Sequence, residues 1–530
     1  MQSTTRRLGT ALTGAALALG ALAVTPSVHA ATAHDTVPLE QSIGWMTGRL
    51  TDGALSTQYG ADYSTTGYLA EALQSVGGHS TELAPILHAL ETHVDEQIHG
   101  FVGGTDVYAG SAAKLAAIVQ TAGDDPTNVD GTDLIQVLEG QVGTTGRTFD
   151  TSPYGDFANT IGQAYAVRAL TTATSTKAAA ATDFLLDQQC PAGWFRLGFS
   201  ASSATDQSCA ADATSKPDPD ATSFVLLELA PLADGNAKIA RSIGRAESWL
   251  AGRQRADGSF GGGTSTEGSN ANSTGLAGWA LGQLGHTSVA EAAATWLRTM
   301  QAHELSSCPT ALSGQTGALA YDAAALAAGR TSGVSDSYQW QLAAAQALPA
   351  LKWLPVATGH AALTGPRGFQ PGGARATYRV AGAAPAETLC LAVGSAKHAF
   401  TAGTDGAAAL GVSLPAATTT LPFSLTTAGG VAATGTTKVL GAARPSITLS
   451  RTRLARGATL TVRISGLAAG EDVTLKLGKR VVRTGLAGGS GAFTARVKLT
   501  RGLVKPGKVK VTVVGQFANR TNAKTIRVVR

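Results

Sequence analysis

The feature that most constrains the fold is a recurring turn at the end of an apolar helix, written Gln-x-x-x-Gly-x-aromatic. It is clearest at Gln254, Gly258 and Phe260, and it recurs at identical spacing at Gln189, Gly193 and Phe195. An aromatic-Leu pair stands five residues before each Gln, as Trp249-Leu250 and Phe184-Leu185. Trp296-Leu297 precedes Gln301 in the same way, without the Gly, and Trp45 before Asp52-Gly53 is a shortened copy. Each part has a physical reason. A Gly beyond a helix end adopts the left-handed conformation that other residues resist. A Gln amide can satisfy carbonyls left over at a helix end, and an aromatic ring covers the end of a neighbouring helix.

A second class of helix starts from Ser, Thr, Asn or Asp, whose side-chain oxygens cap free amides. The candidate starts are Thr65, Ser111, Thr160, Thr222, Thr274 and Thr316, and successive steps between them are 46, 49, 62, 52 and 42 residues. A period near fifty with two helices per unit marks a repeat architecture. Six units over 31–357 can close into a ring of inner and outer helices. The inner helices are Ala-rich and nearly free of charge, as expected for helices covered on all sides.

These turns resemble the repeat of the terpenoid cyclase and protein prenyltransferase superfamily, and the chain is similar to secreted bacterial proteins with prenyltransferase/squalene-oxidase repeats. The resemblance covers roughly 37–355. It implies an (α/α)6 toroid more strongly than any activity.

The flanking segments have other characters. Residues 1–30 read as a signal peptide, with Arg6-Arg7, an apolar run from Leu8 to Val24 and a small-x-small site at Val28-His29-Ala30. The expected location is secreted, with retention at the cell wall by non-covalent contacts. No later run reaches the length of a membrane span. After Pro355, helix breakers give way to period-two alternation, as in Thr459–Ile464 and Val509–Val513. Two immunoglobulin-like β-sandwiches are expected, over 358–441 and 442–530. In an exported chain the four cysteines suggest disulfides. Cys190 and Cys209 bracket one polar loop and are the favoured pair; Cys308 and Cys390 either bridge helical and β regions or stay free.

Charge divides the chain sharply. Residues 31–357 carry 15 Lys+Arg against 32 Asp+Glu, and 442–530 carry 19 against 2. The acidic body and the basic tail are different surfaces for different partners. The tail suits an anionic cell-wall polymer or envelope surface. No nucleic-acid recognition motif is present, and a monomer is expected.

Asp218-Pro219-Asp220-Ala221-Thr222 is the sharpest site for chemistry. The resemblance implies that an Asp-rich motif of this kind begins an inner helix at the cavity, its middle Asp protonating an alkene. Asp218 and Asp220 match the first and middle Asp, while Ala221 replaces the next. The alternative is a plain helix cap. Asp150 and Asp156 form a second carboxylate pair, suited to glycan cleavage or to turn capping. His88, His93, Asp95, Glu96 and His99 form an acidic stretch read as a solvated outer helix rather than a metal site; no metal or cofactor is expected. The leading expectation is a secreted, envelope-associated ligand-binding or scaffold protein. Its alternatives are a terpene cyclase-like enzyme with Asp220 as general acid, a glycan lyase or hydrolase, and a cobalamin-carrier-like protein taking an apolar or corrinoid ligand in the toroid.

Overall fold

The structure is a computed structural model that describes residues 33–530, so the segment read as a signal peptide lies outside the described residues. The first half is helical: α1 (Val37–Thr47), α2 (Tyr63–Val76), α3 (Ser80–Thr92), α4 (Val94–His99), α5 (Ala109–Ala122), α6 (Leu134–Gly140) and α7 (Thr160–Thr172). Then come α8 (Ala178–Asp187), α9 (Pro219–Leu229), α10 (Ala237–Ala251), α11 (Ala271–Gln283), α12 (Thr287–Met300), α13 (Ala323–Ser332) and α14 (Ser337–Ala347). Helices α2, α5, α7, α9, α11 and α14 pack each on the next, and α14 returns to α2. Six inner helices therefore close a ring. The outer helices α3, α6, α8, α10 and α12 each lie on the inner helix they follow, and α1 covers α14. The helical half is an α/α toroid whose first helix completes its last unit.

Small residues let the inner helices approach closely. A Cβ on Gly275 would stand 2.3 Å from the Cα of Ala347, and one on Gly162 2.9 Å from the Cα of Gly110. The Ala and Gly content of these helices is thus a packing requirement of the ring.

The repeat turn stitches neighbouring units together. Gly258 has φ +90°, and a Cβ there would lie 2.3 Å from the Ala292 carbonyl oxygen on the next outer helix. Gly193 meets Arg245 O in the same way. Gln254 donates to Gly258 O and to Val289 O, at 3.0 and 2.8 Å. Gln189 donates to Gly193 O and to Ser242 O, at 2.8 and 2.9 Å. These amides therefore reach the following outer helix, not only their own helix end. Phe195 and Phe260 are fully buried, and their backbone N–H groups donate to the hydroxyls of Thr222 and Thr274 on the inner helices. The Gly missing after Gln301 is supplied by Gly317, across an insertion that contains Cys308. Gln301 donates to Pro38 O at 2.7 Å, and a Cβ on Gly317 would meet Gln41 O.

Two expectations about helix starts are corrected. Thr316 begins no helix; the last inner helix starts at Ser337, capped by Asp336, after the additional α13. The caps of α2, α9 and α11 are Asp62, Asp218 and Asn270, while Thr222 and Thr274 sit one turn inside and serve the repeat turn instead. A hydroxyl one turn along is as polar as a cap in sequence, so the two roles look alike until the turn is placed.

Two β-sandwiches follow. The first has β3 (Ala362–Thr364), β4 (Phe369–Pro371), β5 (Arg375–Ala381), β6 (Thr388–Val393), β7 (Ala396–Thr401), β8 (Ala408–Ser413), β9 (Thr419–Thr427) and β10 (Gly430–Leu440), after a short hairpin β1 (Ser56–Thr57) and β2 (Gly60–Ala61) within the ring. The second has β11 (Ser446–Leu449), β12 (Arg453–Ala455), β13 (Thr459–Ser465), β14 (Asp472–Leu477), β15 (Arg480–Leu486), β16 (Phe493–Lys498), β17 (Gly507–Val514) and β18 (Thr521–Val529). Strand orders β3-β5-β8 and β4-β10-β9-β6-β7 in the first match β11-β13-β16 and β12-β18-β17-β14-β15 in the second. The two modules share one topology, down to the parallel pairs β4–β10 and β12–β18.

Disulfides join Cys190 to Cys209 and Cys308 to Cys390. The second ties the sixth unit of the ring to strand β6, and Lys397 on the adjacent β7 donates to Ser307 O at 2.7 Å. Two disulfides are compatible with an oxidising compartment. No helix among the described residues is long and apolar enough to cross a membrane.

Candidate functional site

The inner helices all begin at one face of the ring, and there a cavity of about 690 Å³ opens. Its floor includes Tyr68, Ile161, Phe224 and Leu276, from four inner helices. One wall is the loop closed by Cys190–Cys209. Arg196, 2% exposed, anchors this loop by donating to Gln188 Oε1, Asp212 Oδ2, Ser200 Oγ and Gln207 O. The opposite wall is the segment 263–266 that follows Phe260.

Asp218 and Asp220 stand together in this cavity but do different work. Asp218 is the N-cap of α9: its Oδ1 accepts the Ala221 N–H at 2.9 Å. Asp220, one turn-position further, caps nothing. Its Oδ1 is buried without a partner, and its Oδ2 lies 3.5 Å from Thr266 Oγ1. Burial pushes the Asp220 carboxyl up to about 6, aided by the neighbouring Asp218; the nearby hydroxyls of Ser273 and Thr266 partly offset the rise. Ser273 Oγ is likewise buried without a hydrogen-bond partner. Burial also raises Asp218, against the backbone bonds that its carboxylate accepts.

The backbone of Gly262 and Gly263 closes on these two acids. A Cβ on Gly262 would fall 2.1 Å from Asp220 Oδ2, and one on Gly263 2.4 Å from Asp218 Oδ2. The Gly-Gly-Gly run at 261–263 therefore lets the main chain press against both carboxylates, a requirement visible in the sequence only as an unexplained glycine run.

Below the floor, the few charges that the inner helices carry come together. Arg168 donates to Glu228 Oε2 at 3.1 Å and to Thr121 Oγ1 at 2.8 Å. Tyr165 donates to Glu71 Oε2 at 3.0 Å. Lys114 donates to Ser64 O at 2.9 Å, with its ammonium 3.0 Å from the Tyr68 ring centroid. Burial raises both Glu71 and Glu228, against the attraction of Lys114 and Arg168, and it lowers Lys114 to about 8. Glu71, Lys114 and Arg168 are each the lone charge of their inner helix. That pattern is the signal that would have located them, because a fully covered helix has no solvent face for a charge.

The other sequence-derived positions are occupied structurally. Asp150 accepts from Ala109 N and Phe157 N, while Asp156 accepts from Asp150 N and Ala158 N and pairs with Arg147. Both carboxylates thus cap turns. His93 stacks on Tyr63, and His99 contacts Asp106 O. Among the described residues no group of three His, Cys, Asp or Glu side chains is placed to hold a metal ion. Gln189, Gly193, Phe195, Gln254, Gly258 and Phe260 belong to the unit junctions described above.

No family model and no curated protein matches the sequence. Among solved structures, the chain is similar to the type II terpene cyclase MstE from Scytonema, at 14% identity and TM-score 0.41, over 59% of this chain and 98% of that one. An MstE variant in complex with geranylgeranyl dihydroxybenzoate gives 14% and 0.42, over 60% and 97%. The unsaturated glucuronyl hydrolase from Bacillus sp. GL1 gives 11% and 0.40, over 60% and 98%. The toroid itself rests on the helix packing described above.

Proposed function

We propose that this is an exported ligand-binding protein, held at the cell envelope by its basic last module, whose ring-mouth cavity takes a small molecule of mixed polarity. The observation that carries the reading is Asp220: a carboxyl in the cavity, committed to no cap and with one oxygen unpartnered. A buried polar atom without a partner costs free energy that a bound ligand recovers. The cavity volume is that of a small-molecule site. Its aromatic and aliphatic floor suits an apolar part, and its rim of Asp218, Asp220 and Thr266 suits hydroxyl or amine groups. A long polyprenyl chain fits less well, because the space below Tyr68 and Phe224 is occupied by the Arg168–Glu228 ion pair and the Tyr165–Glu71 hydrogen bond.

A second reading is favoured by the same acid. A carboxyl held protonated up to about pH 6 beside another is suited to proton donation. Native mass spectrometry of the protein purified from its own host separates the two. Binding predicts an adduct that is lost in Asp220→Ala. Catalysis predicts that the released compound is converted on return to the protein, at a rate that falls as pH rises through 6 and is abolished in Asp220→Asn. Protein free of adduct, with a melting temperature unchanged by host small-molecule extracts, would reject both.

A further inference from the structure

The two β-sandwiches provide an internal comparison. In the five-stranded sheet of the first, one row crosses three strands as Phe369–Lys438–Thr420. One cation stands between a ring and a hydroxyl there, with Lys438 Nζ 5.6 Å from the Phe369 centroid. The topologically equivalent row of the second module is Arg453–Arg527–Lys508. All three are exposed, on the face opposite to Leu454, Val528 and the core.

Side chains in such a row stand about 4.8 Å apart from strand to strand, and like charges directly opposed repel. The three-stranded sheet of the same module avoids this. There every cation faces a threonine: Arg463 lies between Thr448 and Thr494, Arg496 faces Thr461, and Lys498 faces Thr459. Protection of sheet edges does not account for the cationic row, because β18 and β17 are interior strands. Neutralisation within the module does not either. Its two acids are Glu471, buried against Arg520, and Asp472, which lies toward the far end of β17, where Thr474 pairs with Val514. Lys510 continues the charge along β17 on the same face, about 6.8 Å from Lys508.

We propose that this row is the docking surface for a linear phosphodiester polymer of the envelope. A flat sheet face with cations repeating in two directions tracks an extended chain of phosphates and does not enclose a single small anion. The proposal rests on the reading of this module as the envelope anchor and assigns its partner and its face.

The test uses the full chain and poly(glycerol phosphate), with binding measured across a salt series. Arg453→Gln, Lys508→Gln and Arg527→Gln together are compared with Arg463→Gln, Arg496→Gln and Lys498→Gln, which remove the same charge from the other sheet. The row variant is expected to lose about tenfold or more in affinity, with a log–log salt slope shallower by about 2; the matched variant stays close to the parent. Equal losses from both would overturn the face assignment while leaving the anchor reading intact. No binding by the unsubstituted chain would overturn both. Row-dependent binding to phosphatidylglycerol vesicles with none to the polymer would overturn the polymer. Relief of repulsion predicts that the row variant melts no lower than the parent; were it to melt lower, Lys508→Gln alone, with about threefold loss expected, decides in its place.

Discussion

The guanidinium of Arg168 and the carboxylate of Glu228 meet at 3.1 Å between the adjacent inner helices α7 and α9, with Glu228 buried. The pair lines a separate, smaller cavity together with Glu71 and Thr121. Removing one partner leaves a buried charge uncompensated. Arg168→Ala should therefore destabilise the toroid by about 3–5 kcal/mol in urea unfolding. Arg168→Ala with Glu228→Ala should recover part of that loss. A double variant that is simply the sum of its parts would show that the pair is not coupled.

Asp220 makes stability depend on pH in a defined direction. Its folded value near 6 stands above the ordinary 3.8, so between those values the folded state holds a proton that the unfolded state releases. The stability contributed by this group is present in full below about pH 4 and is lost as pH rises to about 6. Asp220→Asn should stabilise the protein by about 3 kcal/mol at pH 8 and leave it nearly unchanged at pH 3.5. Equal effects at both pH values would place the carboxyl in an ordinary solvated environment.

Gly258 and Gly285 both take positive φ, +90° and +88°, but only Gly258 faces a neighbouring backbone. Gly285→Ala should cost about 1 kcal/mol, the strain of the left-handed conformation. Gly258→Ala adds a collision with Ala292 O and should cost about 3 kcal/mol or more. Comparing the two midpoints in urea isolates the contribution of unit-to-unit packing, and similar midpoints would deny the glycine its stitching role.

The Cys190–Cys209 bridge closes a loop of 19 residues that walls the cavity. Replacing both with Ser should lower stability by about 3 kcal/mol. It should also direct limited proteolysis to 199–217 before any other segment. Protection of that loop in the Ser variant would mean that Arg196 alone holds the wall.

The ring was legible in sequence because its junctions require particular residues. Gly258 needs both a left-handed backbone and contact with the next helix, and Gln254 needs two carbonyls, so the spacing recurs wherever units meet. The strands of both sandwiches were legible from their alternation. Whether Cys308 and Cys390 bridge or stay free, the insertion between Gln301 and Gly317, and the starting point of the last inner helix were not, since each depends on which segments the ring brings together.

The division is sharpest at the site. Sequence by itself determined that Asp218 and Asp220 begin an inner helix, and that 19 cations crowd one module. Tertiary structure decided that Asp218 is the cap and Asp220 the free acid, because Gly262, Thr266 and Ser273 come from the next unit. It also decided that Glu71, Lys114, Arg168 and Glu228 converge, and that Arg453, Arg527 and Lys508 stand side by side. Pairing of that kind is a property of helix adjacency and strand register, and neither is written in the local pattern of residues.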